Sequence, residues 1–283
     1  AVPYKAPVKD IVFGYEVIDS YNVLNKISAF SDFSEDIVIP TMEECAKFSE
    51  EILAPINSIG DQQGATIKDG VVTMPEEFVD AYKKFAEAGW ASISLPSDIG
   101  GGGMPITLSG GTLEILSTAN LAFGLAPGLS AGAISAINFH GNQEQKDKFL
   151  PKLVSGEWTG TMNLSEPQSG SDLGTITTKA EPQEDGSYKI TGTKVWITFG
   201  EHNMTENIIH LVLAKVPGSP EGTKGISMFI VPKYIVNDDG SIGDSNNVNC
   251  ISIEEKLGIH ASPTCVMEYD GSVGYLVGEE NRG

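Results

Sequence analysis

The sequence predicts an α+β chain of two domains, a helical one followed by a β one, and two observations carry that reading. Between residues 41 and 158 apolar side chains recur at helical spacing between recognisable starts and stops. From Thr159 onward Thr, Val, Ile and aromatic residues come in short runs separated by Gly, Asp, Asn and Pro. Helical blocks followed by strand blocks place the seam near 158, and 283 residues give each side enough chain for its own core. We therefore divide the chain into an N-terminal extension, 1–40, an all-α domain, 41–158, and a β domain, 159–283.

In the extension, prolines at 3, 7 and 40 bracket a mixed segment whose Asp10-to-Val23 portion can make a helix. Thr41 is placed to cap the next helix, with Glu43 and Glu44 near the positive end of its dipole. Met42, Cys45, Phe48, Ile52 and Leu53 form its apolar face, and Pro55 is expected to end it. Residues 60–70 read as a polar loop. Pro75 opens another helix with Phe78, Tyr82, Phe85 and Ala86 on one side, closed by Gly89. The run Gly100 to Gly103 lacks both the Gly-x-Gly-x-x-Gly spacing and a following Gly-Lys-Ser/Thr, so it reads as a structural turn and not a phosphate cradle. Residues 106–140, rich in Ala, Gly and aliphatics, fit close-packed interior helices, and Asn142 to Trp158 a polar helix ending in a turn.

Eighteen basic against 38 acidic residues leave a formal charge of -20, which argues against nucleic acid as a partner. Mean hydropathy is near zero. No apolar run approaches the ~20 residues that span a bilayer, and the start lacks the order of a signal peptide, so a cytoplasmic protein without membrane partners is expected. Three cysteines and four histidines show no metal spacing. The thiols are expected to be reduced and structural.

Three stretches offer chemistry. Met162-Asn163-Leu164-Ser165-Glu166-Pro167-Gln168-Ser169-Gly170-Ser171-Asp172-Leu173-Gly174 alternates as a half-buried strand and then breaks into a loop of hydroxyls and free backbone N–H groups. On residues alone an ordinary surface turn is the plainer reading. In Val195-Trp196-Ile197-Thr198 the period of two puts Trp196 and Thr198 on one face, a flat wall beside a hydroxyl, although a core aromatic is the plainer reading. Gly128-Leu129-Ser130-Ala131-Gly132 matches the nucleophile elbow of serine hydrolases, but no run of β-branched residues precedes it as that elbow requires.

The first of these stretches resembles the flavin-binding signature of the acyl-CoA dehydrogenase family. Four more ordered blocks are similar to the same family: His140 to Trp158 as the lead-in, Gly192 to Thr198 as a second flavin strand, and Gly222 to Pro232 and Glu255 to Thr264 as later strand segments. The opening Tyr4-Lys5-Ala6-Pro7 resembles the subgroup that includes 3-methylmercaptopropionyl-CoA dehydrogenase. The likeness implies an antiparallel β-barrel or sandwich after the helical domain, with the family's third, C-terminal helical bundle absent from this chain.

It also implies FAD as cofactor and removal of a proton from Cα and a hydride from Cβ of an acyl-CoA, in fatty acid metabolism. The substrate is expected to be a short- or medium-chain acyl thioester, the sulfur-containing 3-methylmercaptopropionyl chain among the candidates. By resemblance Ser165 would bond the pyrimidine side of the ring, Thr198 would approach N5 and Trp196 would pack on the ring. Met162 and Leu164 would touch the cofactor, Gly170 and Ser171 would line the loop between cofactor and thioester, and Leu125, Gly128 and Leu129 would join Ser171 around the substrate. No residue here carries over as the catalytic base, which the family draws from its third domain; Glu166 is assigned a structural place. An electron-transfer flavoprotein as acceptor and a homodimer or homotetramer follow from the same likeness, with an oxidase as sibling reading. Asn163 and Phe199 depart from the usual pattern, Ala, Cys or Gly being common at the first and Asn at the second. The alternatives kept beside this reading are a serine hydrolase using Ser130 and a non-catalytic relative that binds acyl-CoA or flavin.

Overall fold

The computed structural model describes residues 3–283. Its first elements are α1 (Val8–Val17) and α2 (Ser20–Leu24), separated where Asp19 takes φ 54°, so the single helix expected over 10–23 is two. Next comes α3 (Glu35–Phe48), which passes through Pro40 and Thr41. Thr41 is therefore not a cap; its hydroxyl donates back to the Ile37 carbonyl at 2.7 Å, and Glu35 and Asp36 occupy the true first turn. The division expected between 40 and 41 thus falls inside a continuous helix. Pro55 does not end the rod either, because one π-helical turn (Ser49–Leu53) leads directly into α4 (Ala54–Gln63), with Pro55 in its first turn.

Part of the expected polar loop is a hairpin of β1 (Thr66–Lys68) and β2 (Val71–Thr73). Asp69 and Gly70 close it with φ of 51° and 79°, the paired positive φ values of a type I′ turn. The helical part is completed by α5 (Glu76–Glu87), α6 (Ile106–Ala119), α7 (Leu121–His140) and α8 (Gln143–Ser155). Reciprocal bonds between Asn142 and Gln145 cap α8. Contrary to the expectation from the sequence, α7 is long and apolar enough to cross a membrane by length and composition. Here it serves the core: Ala133, Ile134 and Ile137 pack with Phe149, Leu150 and Leu153 of α8.

The β strands are β3 (Thr159–Asn163), β4 (Lys179–Pro182), β5 (Tyr188–Thr198), β6 (Ile208–Lys215), β7 (Ile226–Pro232), β8 (Tyr234–Val236), β9 (Ile242–Ser245), β10 (Val248–Ile253) and β11 (Thr264–Val277). Among them β7 pairs with both β11 and β6, while β11 pairs with β5, β5 with β4, and β4 with β6. That circuit closes a small barrel, with β10 and β3 added at its ends through β11 and β6. Most of the pairing is antiparallel as expected; β3 and β4 run parallel to β6.

Alternation along β6 fixes which way the barrel faces. Val212 and Ala214 point into its interior, while Ile209 and Leu211 point out against α7 and α8. Contact between α7 and β3 is close enough to demand glycine: a Cβ on Gly160 would stand 2.5 Å from that of Ala133. The strand that carries the signature is thereby held between helix and barrel.

Candidate functional site

β3 runs out of the barrel wall and its chain continues beside β5. The Val195 amide donates to the Ser165 carbonyl at 3.0 Å, and Glu166 and Ser169 exchange backbone bonds of 2.7 and 2.9 Å across a tight turn. The Asp172 side chain accepts from Gly174 N at 2.9 Å, and Ser169 donates its hydroxyl to the Asp172 carbonyl at 2.7 Å. Sequence and structure agree that this is a hydrogen-bonded loop. Gly170 and Ser171 stand exposed at its tip.

Beneath the loop lies an ion pair. Lys194 and Glu166 are fully buried, 2.9 Å apart, and Lys194 also donates to the Leu164 carbonyl at 2.9 Å. The Glu166 oxygens further accept from Gln168, from both amides and both hydroxyls of Thr177 and Thr178. Burial pushes this carboxyl up, but the Thr177 amide, the Thr178 hydroxyl and the Lys194 ammonium outweigh it and hold it down at about 2. A carboxylate so fully used and so weakly basic is a strut and cannot serve as a general base near neutral pH.

Trp196 is set by an irregularity that strand periodicity does not foretell. Pairing between β5 and β11 shifts between Cys265 and Met267, opposite Lys194 and Ile197, so β5 carries a bulge there. Trp196 sits in it at φ 60°, a conformation costly for a bulky residue. In consequence Lys194 and Val195 are both buried, whereas Trp196 is 56% exposed. Beyond the bulge alternation resumes, with Ile197 buried and Thr198 half-buried. The indole flanks the loop: a Cβ on Gly170 would lie 4.0 Å from Trp196 Cζ3. Ser165 and Thr198 are half-buried, and among the described residues neither hydroxyl has a protein partner. Met162 is half-buried under α7, 3.9 Å from a Cβ placed on Gly132, and Leu164 packs toward Ile176, Leu213 and Ile226. The exposed indole and the glycine-serine tip thus stand together as a rim, with Ser165 bonded through its carbonyl to Val195 next to the indole and Thr198 two residues further along β5.

Next to β3 a buried polar network stands beside the apolar core of the barrel. Tyr269 donates to Asn163 Oδ1 at 2.8 Å, Asn163 Nδ2 donates to Thr161 Oγ1 at 2.8 Å, and Thr161 meets His210 Nδ1 at 2.6 Å. His202 Nδ1 accepts from Met204 N at 3.1 Å, so its Nε2–H donates to Thr159 Oγ1 at 2.8 Å. Burial, reinforced by the Lys233 charge, pushes both histidines down to about 3, so both are neutral. Asn163, a departure from the family pattern, is therefore the tie between β3 and β11. Sequence reading did not find it, because its partner lies 106 residues away.

The three α7 positions expected around a substrate separate. A mainly apolar cavity of about 260 Å³ lies between α6 and α7, with Phe85 and Trp90 in its wall, and Gly128 lines it. Leu125 instead packs on the helical core, and Leu129 is half-buried outside the lining, as helix periodicity turns them away. Among the described residues no charged side chain lines this cavity. Ser130 is no nucleophile: it sits inside α7, 8% exposed, and its Oγ accepts from the Gly160 amide at 3.0 Å. The elbow's strand-turn-helix setting is missing, and the hydrolase reading is withdrawn.

Comparison with known proteins follows the same lines. The family described as "Acyl-CoA dehydrogenase, N-terminal domain" matches residues 41–157, and "Acyl-CoA dehydrogenase, middle domain" matches 161–272. The chain is 46% identical over 280 residues to the 3-methylmercaptopropionyl-CoA dehydrogenase of Ruegeria pomeroyi, covering 99% of this chain and 48% of the relative. It is 37% identical to a butyryl-CoA dehydrogenase of Syntrophomonas wolfei, covering 98% and 46%. Among solved structures, the Bacillus anthracis acyl-CoA dehydrogenase complexed with FAD superposes with a TM-score of 0.71 at 27% identity, covering 89% of this chain and 39% of that one. The chain spans about half the length of the curated relatives it matches.

Proposed function

The chain belongs to the acyl-CoA dehydrogenase family, and on that premise we propose that it supplies the helical and β domains of an enzyme that uses FAD to introduce an α,β double bond into an acyl-CoA. The observation that supports the proposal is the exposed indole of Trp196 beside the Gly170-Ser171 tip, with Ser165 tied through its carbonyl to the neighbouring Val195 and Thr198 two residues further along β5, both half-buried and, among the described residues, with no protein partner for their hydroxyls. A wall of that kind fits a flat, polar-edged ring, and no apolar ligand alone would use its hydroxyls. Bound there, a flavin supplies the acceptor for the hydride that leaves Cβ.

The protein's own part is positioning. Trp196 would back the ring, Thr198 would donate at its central edge, and Ser165 would bond its pyrimidine side. The Glu166–Lys194 strut holds the Ser165 turn against β5, so the donors need no reorganisation as charge develops. Ser171, exposed at the tip, would face the thioester. The cavity beside Gly128 would take an uncharged acyl tail, because a second carboxylate would have no cation to meet there. The base for the α proton is proposed to be a carboxylate outside this stretch, since Glu166 is unfit for the task. An electron-transfer flavoprotein as acceptor, assembly as a homodimer or homotetramer and a cytoplasmic location are proposed with it.

The test is anaerobic mixing of purified full-length, FAD-loaded protein with butyryl-CoA and with 3-methylmercaptopropionyl-CoA. Bleaching of the flavin by either supports the proposal. A loaded protein that no short or medium acyl-CoA bleaches is a binding relative, and the catalytic reading falls.

A further inference from the structure

We propose that His260 is a positioning residue, a protonation-dependent clasp that fixes the loop between β10 and β11 against α4 and so sets the Thr198 edge of the site. The inference rests on the functional reading above only for what that edge does; the clasp itself is independent of it. Four observations carry it. The imidazole bridges two main-chain carbonyls, with Nδ1 2.9 Å from Asp61 O at the end of α4 and Nε2 2.9 Å from Lys256 O in the loop. Carbonyls only accept, so both contacts are hydrogen bonds at once only when both ring nitrogens carry protons. The backbone repeats the tie, Ala65 N donating to His260 O at 2.9 Å.

Second, the turn is strained beside the clasp: Ile259 lies at φ 49°, a region costly for a β-branched residue. Third, only the outer half of the loop is lightly held, with Leu257 fully exposed and Lys256 donating to the Ser262 carbonyl at 2.9 Å, while Ala261 and Ser262 beyond the clasp are buried. Fourth, the loop leads straight into the site. Phe199 N donates to Pro263 O at 2.8 Å, and Thr264 is the register partner of Thr198.

The charges facing the ring mostly favour its protonated form. The Asp61 carboxylate lies 3.1 Å from Nδ1, and Glu254 and Glu255 line the same cleft, opposed among the described residues there by Lys256. The Asp61 and Lys256 carbonyls, then the Asp61 charge, raise the His260 pKa above its ordinary 6.5. A raised pKa makes the clasp complete below 6.5 and loosens it as pH rises through the higher midpoint in the folded protein. Above that point one nitrogen lone pair faces a carbonyl oxygen, and the Ile259 turn is free to relax.

The experiment uses the full-length protein loaded with FAD, as wild type, His260→Arg and His260→Gln. The imidazole is followed by NMR with labelled histidine, and tryptic cleavage at Lys256 is measured from pH 5.5 to 9. We expect a His260 midpoint above 6.5 and wild-type cleavage, relative to His260→Arg at the same pH, rising severalfold through that midpoint. His260→Gln should be cut readily throughout, and the flavin absorbance of the wild type should shift with the same midpoint. A midpoint at or below 6.5, or a cleavage ratio flat with pH, overturns the clasp. Protein that shows the cleavage step but takes up no FAD overturns the functional reading and leaves the clasp standing.

Discussion

At the scale of single residues, the strut is the most demanding feature of the site. Lys194 and Glu166 are both withdrawn from water, so removing one charge strands the other. Lys194→Met is expected to cost about 3–5 kcal/mol in urea unfolding at neutral pH, the range for breaking a buried pair, and Glu166→Gln less because its hydrogen bonds to Thr177 and Thr178 partly survive. The pH dependence has a definite sign. Glu166 falls from an ordinary 4.5 to about 2, so its contribution is present above 4.5 and is lost as pH drops toward 2. His202 and His210, pushed from 6.5 to about 3, likewise withdraw their contribution as pH falls from 6.5 toward 3. Stability should therefore decline on acidification from about pH 6.5, and Glu166→Gln should flatten the part below 4.5; an unchanged profile in that variant would remove the strut from the account.

Trp196 behaves differently, because its backbone is strained and its ring exposed. Trp196→Gly should stay within about 1 kcal/mol of the wild type, since glycine is free of the left-handed penalty of about 1–2 kcal/mol. Trp196→Ala should melt below Trp196→Gly, as its Cβ keeps that penalty. Both should bind FAD poorly. A large loss of stability in the glycine variant would mark Trp196 as a core residue. The sequence already paired Trp196 with Thr198, but by a regular alternation; the bulge that turns the indole outward depends on pairing with β11 and could not be read from β5 alone.

At the scale of elements, α7 joins the helical half to the signature strand. Its Ser130 hydroxyl caps a barrel amide, so Ser130→Ala should cost about 1–3 kcal/mol, the price of leaving a buried donor unpaired, and should leave any flavin chemistry in place. Gly128 has open space where a Cβ would go and faces the apolar cavity. Gly128→Val is expected to fold and to raise KM for longer acyl-CoAs more than for short ones; equal effects on all chain lengths would place the acyl tail elsewhere. Local signals explain which elements were legible. Strong helical periodicity and the Gly89 stop marked α5, whereas Pro40 and Pro55 read as breaks when a first-turn acid pair at 35–36 and a π turn carried the helix through both. The β1–β2 hairpin was within reach, since Asp69-Gly70 between apolar pairs is a strong short-range turn signal.

Across the whole molecule, the charge of -20 acts on folding and on partners alike. Raising ionic strength from about 0.01 M to about 0.15 M shortens the screening length from about 30 Å to about 8 Å, and self-repulsion should weaken with it. The melting temperature is expected to rise with salt, most steeply at the low end; a fall would show that exposed ion pairs outweigh repulsion. The order of helical and β halves was legible because composition changes abruptly at 159. Closure of the barrel was not, since it depends on β7 pairing with the end of the distant β11 as well as with its neighbour β6, and on β4 reaching β6. The same holds for the Asn163–Tyr269 tie and the His260 clasp, whose partners lie 106 and 199 residues apart.

Titration of FAD into flavin-stripped full-length protein, comparing wild type with Ser165→Ala, Thr198→Val and Trp196→Gly, tests the rim most directly. A stoichiometric site whose Kd rises several-fold to about tenfold in each hydroxyl variant, as the loss of one hydrogen bond worth about 0.5–1.5 kcal/mol requires, and further in Trp196→Gly, is the predicted result. Unchanged affinity in all three variants, or no uptake of FAD by the wild type, would contradict it.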